Sequence, residues 1–503
     1  MKEVTGYMNE TGQGVALPKG KEMKEVCIFA SSDITSDAVG VMIASLQGLT
    51  AKSSEKKIYI NEGGAGTNWI EHIIAEYQVE KGKTYSDYKS LLADFDEYFR
   101  GYILCDISGN PESLNAASAI SGNSYGIIVD KSLEEEVKEL GLEMIMDISD
   151  KDEAWVYENM QEYYSQDYMS ELNPSIYYHL RDYISMTSQY TFHGAIDDRR
   201  EMIMSNLNPQ ATLFGYGEDE FEMIRQASEQ GVTSIPSDLA PNLSVLSSIY
   251  PEGNIMQHTD VQEIEAEEKH HVCFIISDGD NVAFNLWSMY EYFNSDARGT
   301  FSVGFGISPS LYDLAPSAMQ WYYDNANIGE VKEEFVAGPS GTGYVFPSRM
   351  TDEDLEHYVE RLNIYMEKAD LRITQVLDQG AQEDIEGWER VWEKFLEQPN
   401  IDAAFYFGYG ETTNGDIRWY HDKPVILQSN VLWEGLTEEV ELIEYLNQAK
   451  ADPTSQEGYS LILVHCWTKS MEDIRTVVEG LQEHVKVVAP KEFVSLISKN
   501  VIR

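Results

Sequence analysis

The sequence predicts an α/β protein in which a C-terminal (β/α)-barrel-like domain, residues 266–503, is preceded by an α/β domain and a helix-rich domain. Three observations support this prediction. Strand-like apolar runs alternate with helical patterns in both halves of the chain, which is typical of parallel α/β layers. A polar, acidic stretch at 251–269 has the composition of a linker. At 503 residues the chain is too long for one hydrophobic core.

The first predicted domain follows an N-terminal segment, residues 1–24, and spans residues 25–150, either as one body or as two lobes. Its strand-like runs lie at 26–30, 57–60, 101–105, 125–129 and 143–146, with helical patterns at 37–49, 69–77 and 110–120 between them. Residues 151–265 are aromatic. They are predicted to form helices at 155–168, 174–190 and 196–204 and a short strand at 211–214, followed by the linker. This middle domain is therefore predicted to be rich in helix.

Residues 266–503 show the most regular alternation of strands and helices. Strands are predicted at 272–277, 300–306, 334–337, 373–377, 403–407, 425–428, 461–464 and 485–488. Helices are predicted at 282–293, 314–326, 351–369, 384–396, 437–449, 470–483 and 490–499. Eight strands with this spacing predict a (β/α) barrel. The gap after the fifth strand is short and has no clear helical pattern, so an irregular or seven-stranded barrel is equally compatible.

Charge limits the classes of partner. The chain carries 86 acidic and 36 basic residues, a formal net charge of −50. A field of that sign repels phosphate backbones and anionic lipid surfaces, so we expect no nucleic-acid and no membrane partner. The oligomeric state is left open. The N-terminus has no apolar signal region, so the chain as given is expected to be cytoplasmic, or secreted or periplasmic if a leader was removed.

The cysteines predict neither a disulfide framework nor a metal site. The four of them are scattered through apolar, strand-like runs without a CxxC pair, where cysteine usually behaves as a small buried hydrophobe. No motif for a cofactor is present. We therefore expect no metal and no cofactor.

A polar and aromatic set follows the predicted strands of the C-terminal domain. Loops at the carboxyl ends of the strands form the active face of (β/α) barrels. The candidate site residues at these positions are Asp278, Asp280, Asn281, Ser340, Gly341, Gly343, Tyr344, Asp378, Tyr409, Glu411, Trp433, His465 and Trp467.

Paired carboxylates in this set indicate acid–base chemistry. In Ser277-Asp-Gly-Asp-Asn281, two carboxylates flank a glycine, so they can share a proton, bind a cation or hold sugar hydroxyls. The same string also suits the cap of the next helix. Glycosidic cleavage needs one raised-pKa acid and one ionised base or nucleophile. We expect Asp278 or Asp280 to supply one carboxylate, and Asp378 or Glu411 the other.

The remaining candidates are assigned to substrate binding. Tyr344, Trp433 and Trp467 have rings that stack well on sugar faces, although aromatic side chains at a barrel rim also serve packing. His465 is suited to orienting a carboxylate or transferring a proton, or it is a satisfied histidine at a strand end.

The string Gly338-Pro-Ser-Gly-Thr-Gly-Tyr-Val-Phe-Pro347 resembles the signature of the "GxGYxYP putative glycoside hydrolase" family. Phe346 stands where the family name has a second Tyr. Further similar stretches lie at 44–49, 235–244, 277–281, 423–425 and 464–467, so the resemblance runs from about residue 25 to the C-terminus. It implies a glycoside hydrolase acting on an oligo- or polysaccharide, without supplying a catalytic pair.

Two other functions remain open. A metal-dependent carbohydrate deacetylase is suggested by Ile275-Ile-Ser-Asp-Gly-Asp280, which resembles the first-strand Asp motif of polysaccharide deacetylases. No His-x-x-x-His pair follows the second strand, which departs from that pattern. A non-catalytic glycan-binding protein would use the same aromatic and carboxylate side chains for recognition alone.

Overall fold

The computed structural model describes residues 16–194, 198–258, 265–277, 281–329, 331–378, 385–408 and 415–503. The chain divides into two compact units. One comprises Met1–Glu252 and Asp313–Ala318, and the other comprises Gly253–Tyr312 and Met319–Arg503. Within the described ranges, helices that are both long and apolar enough to cross a membrane are absent.

The first unit carries three parallel sheets with the strand orders β2-β1-β3, β5-β4-β6 and β10-β9-β7-β8. The strands are β1 (Glu25–Ala30), β2 (Lys56–Asn61), β3 (Glu80–Tyr85), β4 (Gly101–Cys105), β5 (Gly126–Asp130), β6 (Met144–Asp147), β7 (Tyr168–Glu171), β8 (Tyr190–Phe192), β9 (Thr212–Gly215) and β10 (Thr233–Ile235). The helices are α1 (Asp37–Ser53), α2 (Gly64–Glu76), α3 (Tyr88–Asp94), α4 (Glu112–Ser124), α5 (Glu134–Glu139), α6 (Glu153–Asn159), α7 (Arg181–Thr187), α8 (Asp198–Ser205), α9 (Glu220–Glu229) and α10 (Leu243–Leu246).

Helix α1 is the centre of this unit. Its residues from Ala38 to Ala51 are all buried and none of them is charged, as expected for a helix that other elements surround. Its apolar side chains share one core cluster with those of β1, β2, β4 and β5. Gly48 faces α7, where an added Cβ would lie 2.0 Å from the carbonyl oxygen of Asp182. The two helices can therefore pack closely only because this residue is glycine.

The middle region differs from the helix-rich prediction because it also holds the four-stranded sheet β10-β9-β7-β8. The helix predicted at 155–168 is shorter and ends as α6 at Asn159. The helix predicted at 174–190 is confined to α7. These strands are only three or four residues long. Runs of that length are too short for the period of two to be distinguished from a helical pattern.

After Glu252 the chain forms a ten-stranded sheet and its surrounding helices. The strands are β11 (His270–Ser277), β12 (Val303–Ile307), β13 (Glu333–Ala337), β14 (Ile373–Leu377), β15 (Ala403–Phe407), β16 (Ile417–Tyr420), β17 (Lys423–Leu427), β18 (Asn430–Leu432), β19 (Tyr459–His465) and β20 (Val485–Val487). The helices are α11 (Asn281–Leu286), α12 (Ser288–Phe293), α13 (Leu311–Leu314), α14 (Pro316–Asp324), α15 (Asp352–Lys368), α16 (Ile385–Glu397), α17 (Glu439–Asn447), α18 (Met471–Glu479) and α19 (Pro490–Asn500).

All eight strands predicted after residue 266 are present, most within one or two residues of the predicted bounds. The helix predicted at 282–293 is divided into α11 and α12, and the helix predicted at 314–326 corresponds to α14, which follows the separate helix α13. In the second case Pro316 begins a new helix, because a proline has no N–H to continue the preceding one.

The sheet curls. Its parallel strands follow the order β17-β15-β14-β13-β12-β11-β19-β18, while β20 pairs with the start of β11. Only Gln428 and Ser429 separate β17 from β18. The N–H of Gln428 donates to Tyr406 O of β15 over 2.9 Å, and the N–H of Ser429 donates to Leu461 O of β19 over 2.8 Å. One continuous stretch of chain is thus bonded to β15 on one side and to β19 on the other.

Strand β16 replaces the helix that is missing from the predicted pattern after the fifth strand. It pairs antiparallel with β17 through the two-residue turn His421-Asp422. Both turn residues have positive φ, 50° and 62°, as the twist of a tight hairpin requires. His-Asp is not one of the common turn pairs, so a hairpin is not strongly indicated by these residues.

Helix α19 packs near the amino ends of the strands. The N–H of Lys491 in its first turn donates to Glu334 Oε2 over 2.7 Å, and Glu334 is the second residue of β13. An added Cβ at Gly304, the second residue of β12, would lie 2.6 Å from Pro490 Cγ. The opposite, carboxyl ends of the strands carry the predicted site.

Candidate active site

Of the four predicted catalytic carboxylates, Asp378 is the one that falls in the described part of the chain. The other predicted residues for which no side chain is described are Asp278, Asp280, Asn281, Tyr409 and Glu411. Of these, Asn281 is placed as the first residue of α11, and the rest lie outside the described residues. The geometry of the site therefore rests on Asp378 and on the strand ends around it.

Asp378 directly follows β14, and it is only 2% exposed. Its Oδ2 accepts a hydrogen bond from the N–H of Ser348 over 2.8 Å, and its Oδ1 accepts one from Ser348 Oγ over 2.9 Å. Its carbonyl oxygen accepts a hydrogen bond from the Tyr406 hydroxyl over 3.0 Å. Each carboxylate oxygen thus has a donor from the same serine.

Burial raises the pKa of Asp378 to about 7. The hydrogen bonds from Ser348 and the positive charges of Arg349 and Arg390 act in the opposite direction and offset part of this effect. A carboxyl group with a pKa near neutrality is present in both its protonated and ionised forms, so it can give or take a proton. This is the property that a general acid in sugar chemistry needs.

The string singled out in the sequence, Gly338–Pro347, follows β13, and we call it the signature segment. It is buried along its whole length. The rings of Tyr344 and Phe346 are both 0% exposed and meet edge to face with their centroids 5.8 Å apart. The face of Tyr344 that the sequence suggested for sugar stacking is therefore occupied by packing.

Helix α15 is hydrogen-bonded to the backbone of the signature segment through Tyr358. The Tyr358 hydroxyl lies 2.7 Å from Ser340 O and 2.9 Å from Gly343 O, which places it between two backbone acceptors. Gly341 has a φ of 121°, and an added Cβ there would lie 2.8 Å from Leu362. Only glycine fits this position, both for its backbone angle and for its space.

A contact across the inside of the curled sheet forms the floor of the site. Strands β11 and β14 have two strands between them, yet Gln375 Nε2 of β14 donates to Ser277 Oγ of β11. An added Cβ at Gly338 would lie 2.1 Å from Gln375, and one at Gly306 would lie 2.6 Å from Ser277 Oγ. The two glycines make room for this contact.

The sequence interpretation did not identify Gln375, Gly306 or Gly338 as parts of the floor. Gly306 could have indicated this contact, because a glycine inside a strand often marks a place where another group approaches the backbone closely. Among the residues that the structure describes, buried Gln375 Oε1 has no hydrogen-bond partner.

His465 lies at the end of β19, beside Ser277 in the sheet register, and is 8% exposed. Its Nδ1 is 2.8 Å from Thr468 Oγ1. The imidazole stacks face to face on Trp433, with ring centroids 3.7 Å apart and an interplanar angle of 6°. Two predicted binding residues are thus in direct contact, and the indole fixes the plane of the imidazole. Because Ser277 adjoins His465 and bonds Gln375, it links this pair to the β14 side of the site.

Trp467 differs from Trp433 in being 41% exposed. Its ring meets Phe284 of α11 edge to face, with centroids 5.7 Å apart. This contact leaves a large part of the indole exposed to solvent.

In the described ranges, groups of three or more His, Cys, Asp or Glu side chains arranged to hold a metal are absent. The four cysteines are free and buried, as the sequence predicts for small hydrophobes.

Comparison with known proteins identifies the family of this chain. Four family models match it in succession: the GxGYxYP_N 1st domain at residues 25–97, the GxGYxYP_N second domain at 99–163, the GxGYxYP third domain at 166–248, and the "GxGYxYP putative glycoside hydrolase C-terminal domain" at 268–498. The chain belongs to the GxGYxYP family. Comparison with the curated proteins gives no match.

The GxGYxYP chain is also similar to a solved structure described as a "putative hydrolase" from Bacteroides thetaiotaomicron VPI-5482. The two share 39% sequence identity and superpose with a TM-score of 0.92, over 99% of this chain and 98% of the other. The motif that gives the family its name lies in the buried signature segment. Phe346 stands in place of the second Tyr, so this buried position has no hydroxyl that needs a hydrogen-bond partner.

Proposed function

We propose that this GxGYxYP protein is a glycoside hydrolase that cleaves an oligo- or polysaccharide at the carboxyl ends of the strands of the curled sheet. The observation that carries the proposal is Asp378, a buried carboxyl group at the end of β14 whose pKa is raised to about 7. At neutral pH this group can protonate the oxygen of a departing sugar. The family to which the chain belongs supports the same chemistry.

We further infer that the curled sheet closes as a seven-stranded (β/α) barrel, with residues 266–503 as the catalytic domain after domains at 25–150 and 151–265. Two observations support closure. The stretch from β17 to β18 is bonded to β15 and to β19, and Gln375 reaches Ser277 across two intervening strands. In a barrel of this kind, the residues that follow the strands share one mouth.

Asp278 or Asp280 is proposed as the second carboxylate, with Glu411 as the alternative. The contact between Ser277 and Gln375 joins the end of β11 to β14 across the inside of the sheet, which supports a carboxylate from the stretch after β11 as the partner of Asp378. In the proposed reaction Asp378 acts as the acid, while the ionised partner attacks the sugar or activates water.

Carbohydrate is held by the aromatic and polar groups of the same mouth. Trp467 offers an exposed indole face, while Trp433 and His465 form a stacked pair beside Ser277. Stacking of this kind suits the apolar face of a sugar ring. Asn281 and Tyr409 are proposed to contribute hydrogen bonds.

The test is mass spectrometry of a diverse oligosaccharide panel after incubation with wild type, Asp378→Asn and Asp280→Asn. Asp422→Asn is the matched control, because that carboxylate is 89% exposed in an ion pair with Arg503. Shorter sugars with wild type and the control, and far less product with the other two variants, are the expected result. Undiminished cleavage by Asp378→Asn would remove that residue from the catalytic role.

The same panel separates the other two functions. Loss of acetyl mass without chain cleavage would assign a deacetylase instead. Retained glycan binding with no change of mass in any sugar would assign a non-catalytic binding protein.

A further inference from the structure

The residue that directly follows the signature segment is hydrogen-bonded to the proposed acid, Asp378. Ser348 follows Pro347 directly, and its N–H and hydroxyl each bind a different oxygen of Asp378. We propose that the signature segment is a positioning device that orients Asp378 and controls its protonation through Ser348 and Arg390. The inference rests on the proposed function, since it takes Asp378 as the reacting carboxyl group.

The beginning of the segment is tied to the residue next to Asp378. Ser340 Oγ lies 2.8 Å from Val345 O and 3.1 Å from Leu377 O, and the N–H of Leu377 points to the same hydroxyl over 3.4 Å. Leu377 immediately precedes Asp378. The segment is thus bonded at its start and just beyond its end to two consecutive residues, and a shift of the segment moves the carboxyl group with it.

Arg390 of α16 binds the backbone just after the signature segment. Its Nη2 lies 3.1 Å from Ser348 O and 2.9 Å from Met350 O, and its Nη1 is 2.8 Å from an Asp352 carboxylate oxygen. The guanidinium is held by these three acceptors and its charge favours the ionised form of Asp378. Arg390 therefore acts on Asp378 by its charge and by holding the serine.

The charged and titratable groups around Asp378 among the described residues are few. Arg349 is the last residue of the short helical turn Pro347–Arg349, Arg390 comes from α16, and Tyr406 comes from β15. Both arginines favour the carboxylate, while the Tyr406 hydroxyl donates to the backbone carbonyl of Asp378. Ser348 is the side chain that can adapt to either state, because its hydroxyl donates to a carboxylate and accepts from a carboxylic acid.

The expected effect of Ser348→Ala follows from this geometry. The substitution leaves the backbone N–H in place but removes one of the two hydrogen bonds that stabilise the ionised form. The pKa of Asp378 is then expected to rise by about one. Ser348→Thr keeps a hydroxyl and is expected to restore the wild-type value. Arg390→Met is expected to raise the pKa of Asp378 as well.

The experiment reads Asp378 directly and does not depend on a known substrate. Full-length protein is labelled with ¹³C at the aspartate carboxyl carbons, and the resonance that is lost in Asp378→Asn is titrated in each variant. Arg372→Met is the matched control, because Arg372 forms an ion pair with Asp402 and has no contact with Asp378 or Ser348 among its hydrogen bonds. The proposal expects an upward shift in Ser348→Ala and Arg390→Met, and none in Ser348→Thr or Arg372→Met.

A titration midpoint of Asp378 that is unchanged in both Ser348→Ala and Arg390→Met would overturn the proposal. Once a cleaved sugar is known, the pH–rate profile of Ser348→Ala should move its basic limb upward by the same amount with little change in KM. Failure of the proposed function has a different signature, since the resonance would still shift while Asp378→Asn cleaves sugars normally.

Discussion

Asp378→Asn is expected to make the protein more stable at pH 8, although it removes the proposed acid. Burial raises the pKa of Asp378 from its ordinary 3.8 to about 7 in the folded protein. In the unfolded chain the group returns to about 3.9. Between these two pKa values the carboxyl group is protonated in the folded state and ionised in the unfolded state. The free energy of unfolding therefore falls as the pH rises from about 4 to about 7, and it stays at this lower value above pH 7.

The size of the effect follows from the difference in pKa. The folded and unfolded pKa values of Asp378 differ by about three, and each pKa unit is worth about 1.36 kcal/mol. The wild type therefore loses about 4 kcal/mol of stability above pH 7. Asparagine carries no charge to bury, and its amide keeps partners for Ser348 because its oxygen accepts from the N–H and its nitrogen donates to Oγ. The variant should therefore gain on the wild type by up to about 4 kcal/mol at pH 8 and by little at pH 4.

The assay is thermal unfolding of the full-length wild type and variant between pH 4.5 and 8.5, with the difference in Tm plotted against pH. With roughly 2–4 °C per kcal/mol in a body of this size, the difference should grow by about 10 °C from the lowest to the highest pH. Asp422→Asn, which changes an exposed carboxylate, should show no such slope. A difference in Tm that does not depend on pH, or that falls as the pH rises, would refute the reasoning.

Three further predictions concern stability. Arg298→Met strands the buried charge of Glu333, which is 0% exposed, so the free energy of unfolding should fall by about 3–5 kcal/mol in denaturant titrations. Burial lowers the pKa of Lys57 to about 7, so the folded protein binds fewer protons than the unfolded chain between about pH 7 and 10. Wild type should therefore gain stability over that range relative to Lys57→Met, measured as Tm against pH. Gly338→Ala places a Cβ 2.1 Å from Gln375, and this overpacking should lower stability by about 1–3 kcal/mol in calorimetry.

Each of these predictions has a control and an outcome that contradicts it. Arg372→Met breaks an exposed ion pair and should cost less than about 1 kcal/mol, so an equal loss in Arg298→Met would show that burial is not the cause. Parallel pH curves for wild type and Lys57→Met would exclude a lowered pKa. A Gly338→Ala protein as stable as wild type would mean that Gln375 moves aside at no cost.

Much of the fold could be predicted because the strands of the second unit are long apolar runs. Strand β11 is buried at all eight of its residues, and such strands belong to sheets that are covered on both faces. Strands β16 and β18 were not predicted. They have four and three residues, and β16 depends on a hairpin turn whose His-Asp pair is unusual. Short strands are decided by tertiary pairing more than by their own pattern.

The site was predictable where it depends on position along a strand and unpredictable where it depends on distant contacts. The place of Asp378 at the end of a strand could be predicted because β14 is a clear apolar run, and its catalytic role stays a prediction. The burial of Tyr344 could not be predicted, since its ring packs against Phe346 in a segment whose backbone is bonded by Tyr358 of α15, and no local pattern reveals these contacts. Gln375 was missed for the same reason, because its partner Ser277 lies three strands away in the sheet.

The pairing of β11 has a consequence for how this protein is made. One edge of β11 bonds to β19 along nearly its whole length, from His271 to Ser277. Roughly 180 residues separate the two strands, so at ribosomal speeds of about 5–20 residues per second that edge stays unpaired for about 10–40 s. An apolar strand with a bare edge is a template for association with other chains. The nascent chain is therefore expected to need chaperone protection in this interval, and expression at high rate should favour inclusion bodies unless synthesis is slowed by cooling.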